Sequence, residues 1–209
     1  MTKHLVTVDI VLFTIRDRRL HVLLIKRLAK PHQGSYALPG GFVKKKESLD
    51  EAARRELNEE TGVDQVYLEQ LYTFGAPDRD PRGRVVTVAY YALVPNTYSL
   101  SAGTDAADAA WFPVDELPQL AFDHREILEY AHQRLRNKLD YTNVGFGLLS
   151  EKFTLGELQL VHEAILGEPL DKRNFRRKVA QRGIVKPVKE WRSTGRKPAQ
   201  LFRFENTEQ

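Results

Sequence analysis

Residues 41–63 read GFVKKKESLDEAARRELNEETGV, and no other segment constrains the chain as tightly. Ser48 followed by Glu51 is a capping box, in which the hydroxyl and the carboxylate each take a backbone N–H left over at a helix start. The spacing predicts a helix over residues 49–61, with Gly62 supplying the left-handed stop. At about 100° per residue, Leu49, Ala52, Ala53 and Leu57 fall on one stripe, the side that faces a core. Glu56 and Glu60 project onto that same stripe, and Glu59 lies at its edge. A solvated charged face accounts for Asp50, Glu51 and Arg54, but not for carboxylates turned toward apolar packing, where an unpaired charge is costly. A divalent cation resolves the conflict, because carboxylate oxygens are the ligands that Mg2+ and Mn2+ prefer. Arg55 cannot lose its proton, and its expected task is to pair with Glu47 and hold the loop against the helix.

The order Gly41, five residues, Glu47, seven residues, then Arg55-Glu56-Leu57-Asn58-Glu59-Glu60-Thr61-Gly62-Val63 resembles the Nudix box, with every fixed position filled. That resemblance implies hydrolysis of a nucleoside diphosphate linked to another group, by water attacking phosphorus with divalent cations lowering its pKa. It implies Glu56, Glu59 and Glu60 as metal ligands together with the Gly41 carbonyl, and Glu47, Arg55, Glu56 and Glu59 as the catalytic set. The proton acceptor stays open between Glu59 and a carboxylate from a later loop, Asp123 or Glu126.

At 209 residues the chain is long enough for one domain of ordinary size and a small one. It has no 18-residue apolar run, so no membrane span is expected, and its first residues alternate like a strand rather than a secretory leader. The absence of cysteine excludes disulfides and thiolate zinc sites, and a cytoplasmic protein is expected. Charge is unevenly spread. Residues 1–150 hold 19 Lys/Arg against 20 Asp/Glu, whereas residues 151–209 hold 13 against 8, which predicts two domains with different partners.

Strands are predicted over residues 5–15, 20–26, 65–74, 85–93 and 110–112, and a helix over residues 123–138. Strands with two flanking helices fit an α/β class, an α/β/α sandwich with a mixed sheet, in agreement with the Nudix fold. Residues 74–84 join two strands and carry three arginines and two aspartates. Arg79, Arg82 and Arg84 are candidates for forked hydrogen bonds to a pyrophosphate, and Asp78 for ribose hydroxyls. This loop, with Trp111-Phe112-Pro113 and Leu120-Ala121-Phe122-Asp123-His124, resembles the ADP-ribose pyrophosphatase branch of the family. ADP-ribose is therefore the expected ligand, with Phe122 or Tyr36 stacking on adenine and Asp123 among the binding residues.

The tail has a layout of its own. Thr154 and Glu157 form a second capping box, with a helix ending at Gly167. Asp171 caps the next helix, which carries Lys172, Arg173, Asn174, Arg176, Arg177 and Gln181 and stops at Gly183. Two strands follow, over residues 184–188 and 200–204, around a basic tip containing Arg196 and Lys197. Helix, turn, basic helix and hairpin make a winged helix-turn-helix, whose second helix enters the major groove. The eight polar residues just named are its expected DNA contacts, Asn174 and Gln181 reading base edges. The run Leu170-Asp171-Lys172-Arg173-Asn174-Phe175-Arg176 resembles the Nudix-related transcription regulators of NAD or sugar metabolism.

The expected organisation is a Nudix domain over residues 1–140, a connector over 141–152 and a small C-terminal winged-helix domain over 153–209. Its expected function is to bind and hydrolyse ADP-ribose to AMP and ribose 5-phosphate with Mg2+ or Mn2+, and to bind double-stranded operator DNA, as a homodimer that pairs on palindromic sites. The alternative is a regulator that senses ADP-ribose, or another sugar or nucleotide effector, without cleaving it, as the damaged boxes of many such regulators do. Here Glu56, Glu59 and Glu60 are all present.

Overall fold

Strand β1 (Leu5–Arg16) buries nearly every side chain between Thr7 and Ile15 because both of its faces are covered. Val8, Ile10 and Leu12 point to one side, where they meet Ala52, Ala53 and Leu57 of α1 (Leu49–Thr61). Val11, Phe13 and Ile15 point to the other, into a core shared with Ile127, Leu128, Ala131 and Leu135 of α2 (His124–Lys138). The structure, a computed structural model, describes residues 4–64, 66–97, 109–139, 143–193 and 197–205.

The sheet between the two helices adds β2 (Arg19–Lys26), β3 (Tyr36–Ala37), β4 (Gly40–Phe42), β5 (Tyr67–Phe74), β6 (Val85–Leu93) and β7 (Ala109–Pro113). Its order is β3-β2-β1-β6-β5, with β4 paired to β1 and β7 to β2. β1 and β6 run parallel and the other pairs antiparallel, which makes the sheet mixed. Strands β3 and β4 were not anticipated: two or three residues are too short to show a period. Residue 65, where a strand was expected to begin, lies outside the described residues, and β5 starts at Tyr67.

The second unit consists of β8 (Lys152–Phe153), α3 (Leu155–Leu166), α4 (Lys172–Arg182), β9 (Val185–Arg192) and β10 (Ala199–Phe204). Its three strands pair antiparallel in the order β8-β10-β9. Phe153, Leu158, Phe175 and Val179 form its small core, with Phe202 and Phe204 packed against them. Strand β9 continues to Arg192, four residues beyond the expected end, because Trp191 and Arg192 pair with Gln200 and Ala199. The tip residues 194–196, including Arg196, lie outside the described residues.

The segment expected as a connector is a structural joint over its described part. Residues Val144–Leu148 form a 3-10 helix, and Val144 and Leu148 are buried with Leu135, Leu139 and Leu93 of the first unit and Val161 and Ile165 of α3. Gly147 suits this close approach, since a Cβ would lie 3.0 Å from the Leu93 Cβ and force a small shift. Helix α3 therefore serves two cores, Leu158 facing the small one and Val161 and Ile165 the large one. Its last turn also meets α2 at the Ile165 carbonyl, 2.9 Å from His132 Nε2. Among the described residues no helix is long and apolar enough to cross a membrane.

Candidate functional site

The capping box at Ser48 and the left-handed Gly62, with φ 69°, fix the two ends of α1. Between them Arg55 forks onto Glu47, with Nε donating to Oε2 at 2.9 Å and Nη2 to Oε1 at 2.7 Å. The Arg55 guanidinium and the Lys44 backbone N–H pull the Glu47 carboxyl down to about 2. Arg55 Nη1 also reaches Glu56 at 2.7 Å and Glu59 at 3.1 Å. The Glu56 side chain is 12% exposed and that of Glu59 54%, so the same cation ties an inward and an outward carboxylate. Glu60 turns the other way and accepts from the Gly40 N–H at 2.9 Å.

A Cβ on Gly41 would lie 2.2 Å from Glu56 Oε1, so only glycine lets that carboxylate close over the loop backbone. Carboxylates beside an open backbone are a hard-oxygen donor set, and the chemistry fits Mg2+ or Mn2+. Among the described residues, however, no three acidic or imidazole groups stand together as a ready cation cage. Arg55 engages Glu56 and Glu59, and the Gly40 N–H engages Glu60.

Glu60, Gly40 and Gly41 form one wall of a cavity of about 320 Å3, and Arg27, Arg79, Asp80, Arg82, Phe122, Asp9 and His124 line the rest. Arg79, almost fully buried, forks onto Asp123 at 2.8 and 2.7 Å and reaches Asp9 at 3.4 Å. Burial opposes its charge, but Asp123 and Asp9 outweigh that and its pKa is raised. His124 accepts from the Leu38 N–H through Nδ1 at 2.9 Å. Burial lowers its pKa, so the imidazole is neutral and its proton sits on Nε2, 3.6 Å from Asp9 Oδ1. Arg82 forks onto Asp80 at 3.0 and 2.6 Å and lies over the Phe42 and Phe122 rings.

Arg27 covers the Phe122 ring at 4.7 Å from its centroid, and its Nε donates to the Pro31 carbonyl. Burial and the neighbouring Arg82 lower its pKa, against the pull of Asp80, Asp9 and Glu60. Phe122 holds φ 53°, a left-handed conformation unusual for a bulky residue and one that costs on the order of 1–3 kcal/mol. That strain is retained where the ring meets two guanidiniums, Arg27 and Arg82.

Of the residues expected to bind ligand, Arg79, Arg82 and Phe122 line the cavity. Four others do not. Asp123 faces Arg79 as its ion-pair partner rather than lining the cavity. Asp78 is exposed and away from the cavity, and the aspartate on its wall is Asp80. Arg84 is spent on the loop itself, donating to the Gly75 and Ala76 carbonyls. Tyr36 packs edge-on to Phe112 in the core, so it is no adenine platform. Glu126 is exposed and lines none of the cavity.

Arg27, Asp9, Asp80 and His124 were not anticipated. Asp9 carried one available sign, a lone charge inside an apolar strand; Arg27 carried none, because its role depends on the fold of residues 27–35.

In the second unit, Asp171 caps α4 by accepting from the Asn174 N–H at 2.8 Å. Phe175 and Val179 turn inward, while Lys172, Arg173, Asn174, Arg176, Arg177 and Gln181 are all exposed. Arg177 Nη2 donates to Asn174 Oδ1 at 3.0 Å. Lys197, at the described edge of the hairpin tip, is exposed. A helix with one apolar stripe and a cationic remainder is a surface for a polyanion.

Comparison with known proteins agrees with this division. The NUDIX domain family matches residues 3–131, and the NrtR DNA-binding winged helix domain matches residues 145–204. A relative from Acinetobacter baylyi, the ADPR responsive transcriptional repressor NtrR, is 40% identical over 204 residues, covering 96% of this chain and 82% of its own length. The crystal structure of Shewanella oneidensis NrtR complexed with a 27mer DNA superposes with a TM-score of 0.85 at 41% identity, covering 96% of this chain and 93% of that one. An ADP-ribose pyrophosphatase from Methanocaldococcus jannaschii is 44% identical over 108 residues, which are 52% of this chain and 63% of that protein.

Proposed function

We propose, since this chain belongs to the Nudix family and carries the NrtR DNA-binding winged helix domain, that it is a DNA-binding regulator whose front cavity takes ADP-ribose. The observation that carries the reading is the cavity wall: box residues Gly40, Gly41 and Glu60 share one space of about 320 Å3 with Arg27, Arg82 and Phe122. That volume is in the range of small-molecule sites, which begin at about 300 Å3. Diphosphate oxygens meet the guanidiniums, and the adenine or ribose face meets the Phe122 ring. The Acinetobacter relative, an ADPR responsive repressor by name, supports the same pairing of ligand and response. Operator DNA is met by Lys172, Arg173, Asn174, Arg176, Arg177, Gln181, Arg196 and Lys197, on a twofold dimer in the cytoplasm. The working division is residues 1–140 for the nucleotide, 141–152 as the joint and 153–209 for DNA.

A second reading, hydrolysis to AMP and ribose 5-phosphate, is favoured by the intact set of Glu47, Arg55, Glu56, Glu59 and Glu60. Glu56, Glu59, Glu60 and the Gly41 carbonyl would hold Mg2+ or Mn2+, and the cation would supply charge neutralisation at the diphosphate. Arg55 then releases Glu56 and Glu59 from its own hydrogen bonds.

One assay separates the two readings. The protein is incubated with ADP-ribose and Mg2+, products are resolved by chromatography, and the heat of ADP-ribose binding is measured in parallel. Product above that of Glu59→Gln, abolished by EDTA, establishes hydrolysis. Binding without product leaves a sensor, and absence of both overturns the assignment of the cavity.

A further inference from the structure

The chain has two tryptophans, and Trp191, on β9 of the hairpin, is 63% exposed, more than any other aromatic residue among the described ones. It pairs with Gln200 one step before the last hairpin pair, Arg192 with Ala199, and so stands close to the hairpin tip. An indole left in water forfeits the burial that its large apolar face offers, and here it does so on a hairpin whose other side chains are largely cationic.

The charge around it selects the occupant. Residues 172–204 hold 12 Lys/Arg and a single acid, Glu190, which favours an anionic partner. The carboxylates near the hairpin are already engaged, Glu190 by Lys152 at 2.6 Å, Glu157 by Arg192 at 2.5 Å and Glu205 by Lys186. Lys189, two positions before Trp191, is exposed. Helix α4 packs on β9, so the basic helix and the hairpin are held side by side.

We infer that Trp191 is a DNA contact: its ring lies against the deoxyribose edge of duplex DNA beside the groove that α4 occupies, with Lys189 on the adjoining phosphate. The inference rests on the proposed DNA binding by α4 and extends it to an apolar contact. Deoxyribose presents apolar C–H faces between the phosphates, and a flat ring with one N–H donor suits that edge. The contact involves no base, so it adds affinity without sequence preference.

The test uses the full chain and sonicated duplex DNA, with binding followed by tryptophan emission and by anisotropy of labelled duplex at several salt concentrations. Trp191→Ala weakens binding about five- to tenfold, the lower end of what aromatic side chains against nucleic acid are worth. It leaves the slope of log affinity against log salt unchanged, because no charge is removed. Trp191→Phe restores most of the affinity and abolishes the change in emission seen with wild type. Equal affinity of wild type and Trp191→Ala, or the same emission change in Trp191→Phe, overturns the inference while leaving α4 as a DNA reader. Failure of wild type to bind duplex at low salt overturns both. An emission change with protein concentration in the absence of DNA, abolished in Trp191→Phe, assigns the ring to a second copy of the chain and overturns the DNA contact.

Discussion

Glu47 is the residue on which the box loop closes, and its carboxyl shows how that closure responds to acid. Its pKa is lowered from 4.5 to about 2 because Arg55 and the Lys44 N–H bond the charged form. A group depressed on folding contributes stability that is full above the unfolded value and is lost as pH falls through the folded one. Glu47 therefore supports the fold above about pH 4.5, and its contribution disappears as pH falls toward 2. In Glu47→Gln the fall of melting temperature between those two pH values becomes shallower than in wild type, as measured by circular dichroism. At the other wall of the cavity, Arg27 has a backbone carbonyl and an aromatic face for company. Arg27→Ala lowers ADP-ribose affinity by about tenfold, the scale of one charge-assisted bond. Calorimetry checks this, and an unchanged dissociation constant removes Arg27 from the ligand site. Arg79 behaves differently. Its fork is filled by Asp123, so Arg79→Ala leaves a half-buried aspartate unpaired and lowers stability before it touches ligand binding.

Among the elements, α2 and α4 show how a helix end is committed to a task. Asp123 occupies the N-cap position of α2 yet makes no side-chain cap bond, because both of its oxygens go to Arg79. The helix start is given up to the cavity wall, and its neighbours Phe122 and His124 line the cavity itself. In α4 the cap is intact at Asp171, and the helix is held to the small core by Phe175 and Val179. That anchoring leaves Arg176 and Arg177 exposed, where phosphate can reach them. Arg176→Ala combined with Arg177→Ala reduces the slope of log affinity against log salt by about two, one for each phosphate no longer neutralised. Binding of promoter duplex across salt measures it, and an unaltered slope places the DNA-binding surface elsewhere.

For the whole molecule, the shared core is the decisive feature. Val161 and Ile165 come from the winged helix but are buried with Leu135, Leu139, Val144 and Leu148 on the sheet face of the Nudix domain. The two units are joined through packed side chains of α2, α3 and residues 144–148. Ile165→Ala removes methyl groups from that joint and costs about 2–4 kcal/mol. A single calorimetric transition shifted downward as a whole is the expected result. Two resolved transitions, with only the smaller one shifted, exclude a common core.

How much was legible from the residues follows the range of the interactions. The caps at Ser48, Thr154 and Asp171, the stops at Gly62, Gly167 and Gly183, and the inward stripe of α1 are set by groups three or four positions apart. Such features can be read along the chain, and the helices followed them closely. The sequence by itself also determined that Glu56 and Glu60 turn inward on α1, since helical periodicity leaves them no other face. Only the tertiary structure decided which charges meet in the cavity. Arg27, Asp9, Asp80 and His124 are brought together from four separate segments. It also decided that Asp123 serves Arg79 rather than the ligand, that Arg84 folds back onto its own loop, and that residues 144–148 are packed rather than slack. Those outcomes depend on which side chain reaches a buried partner first, and that competition exists only once the strands have closed into a sheet.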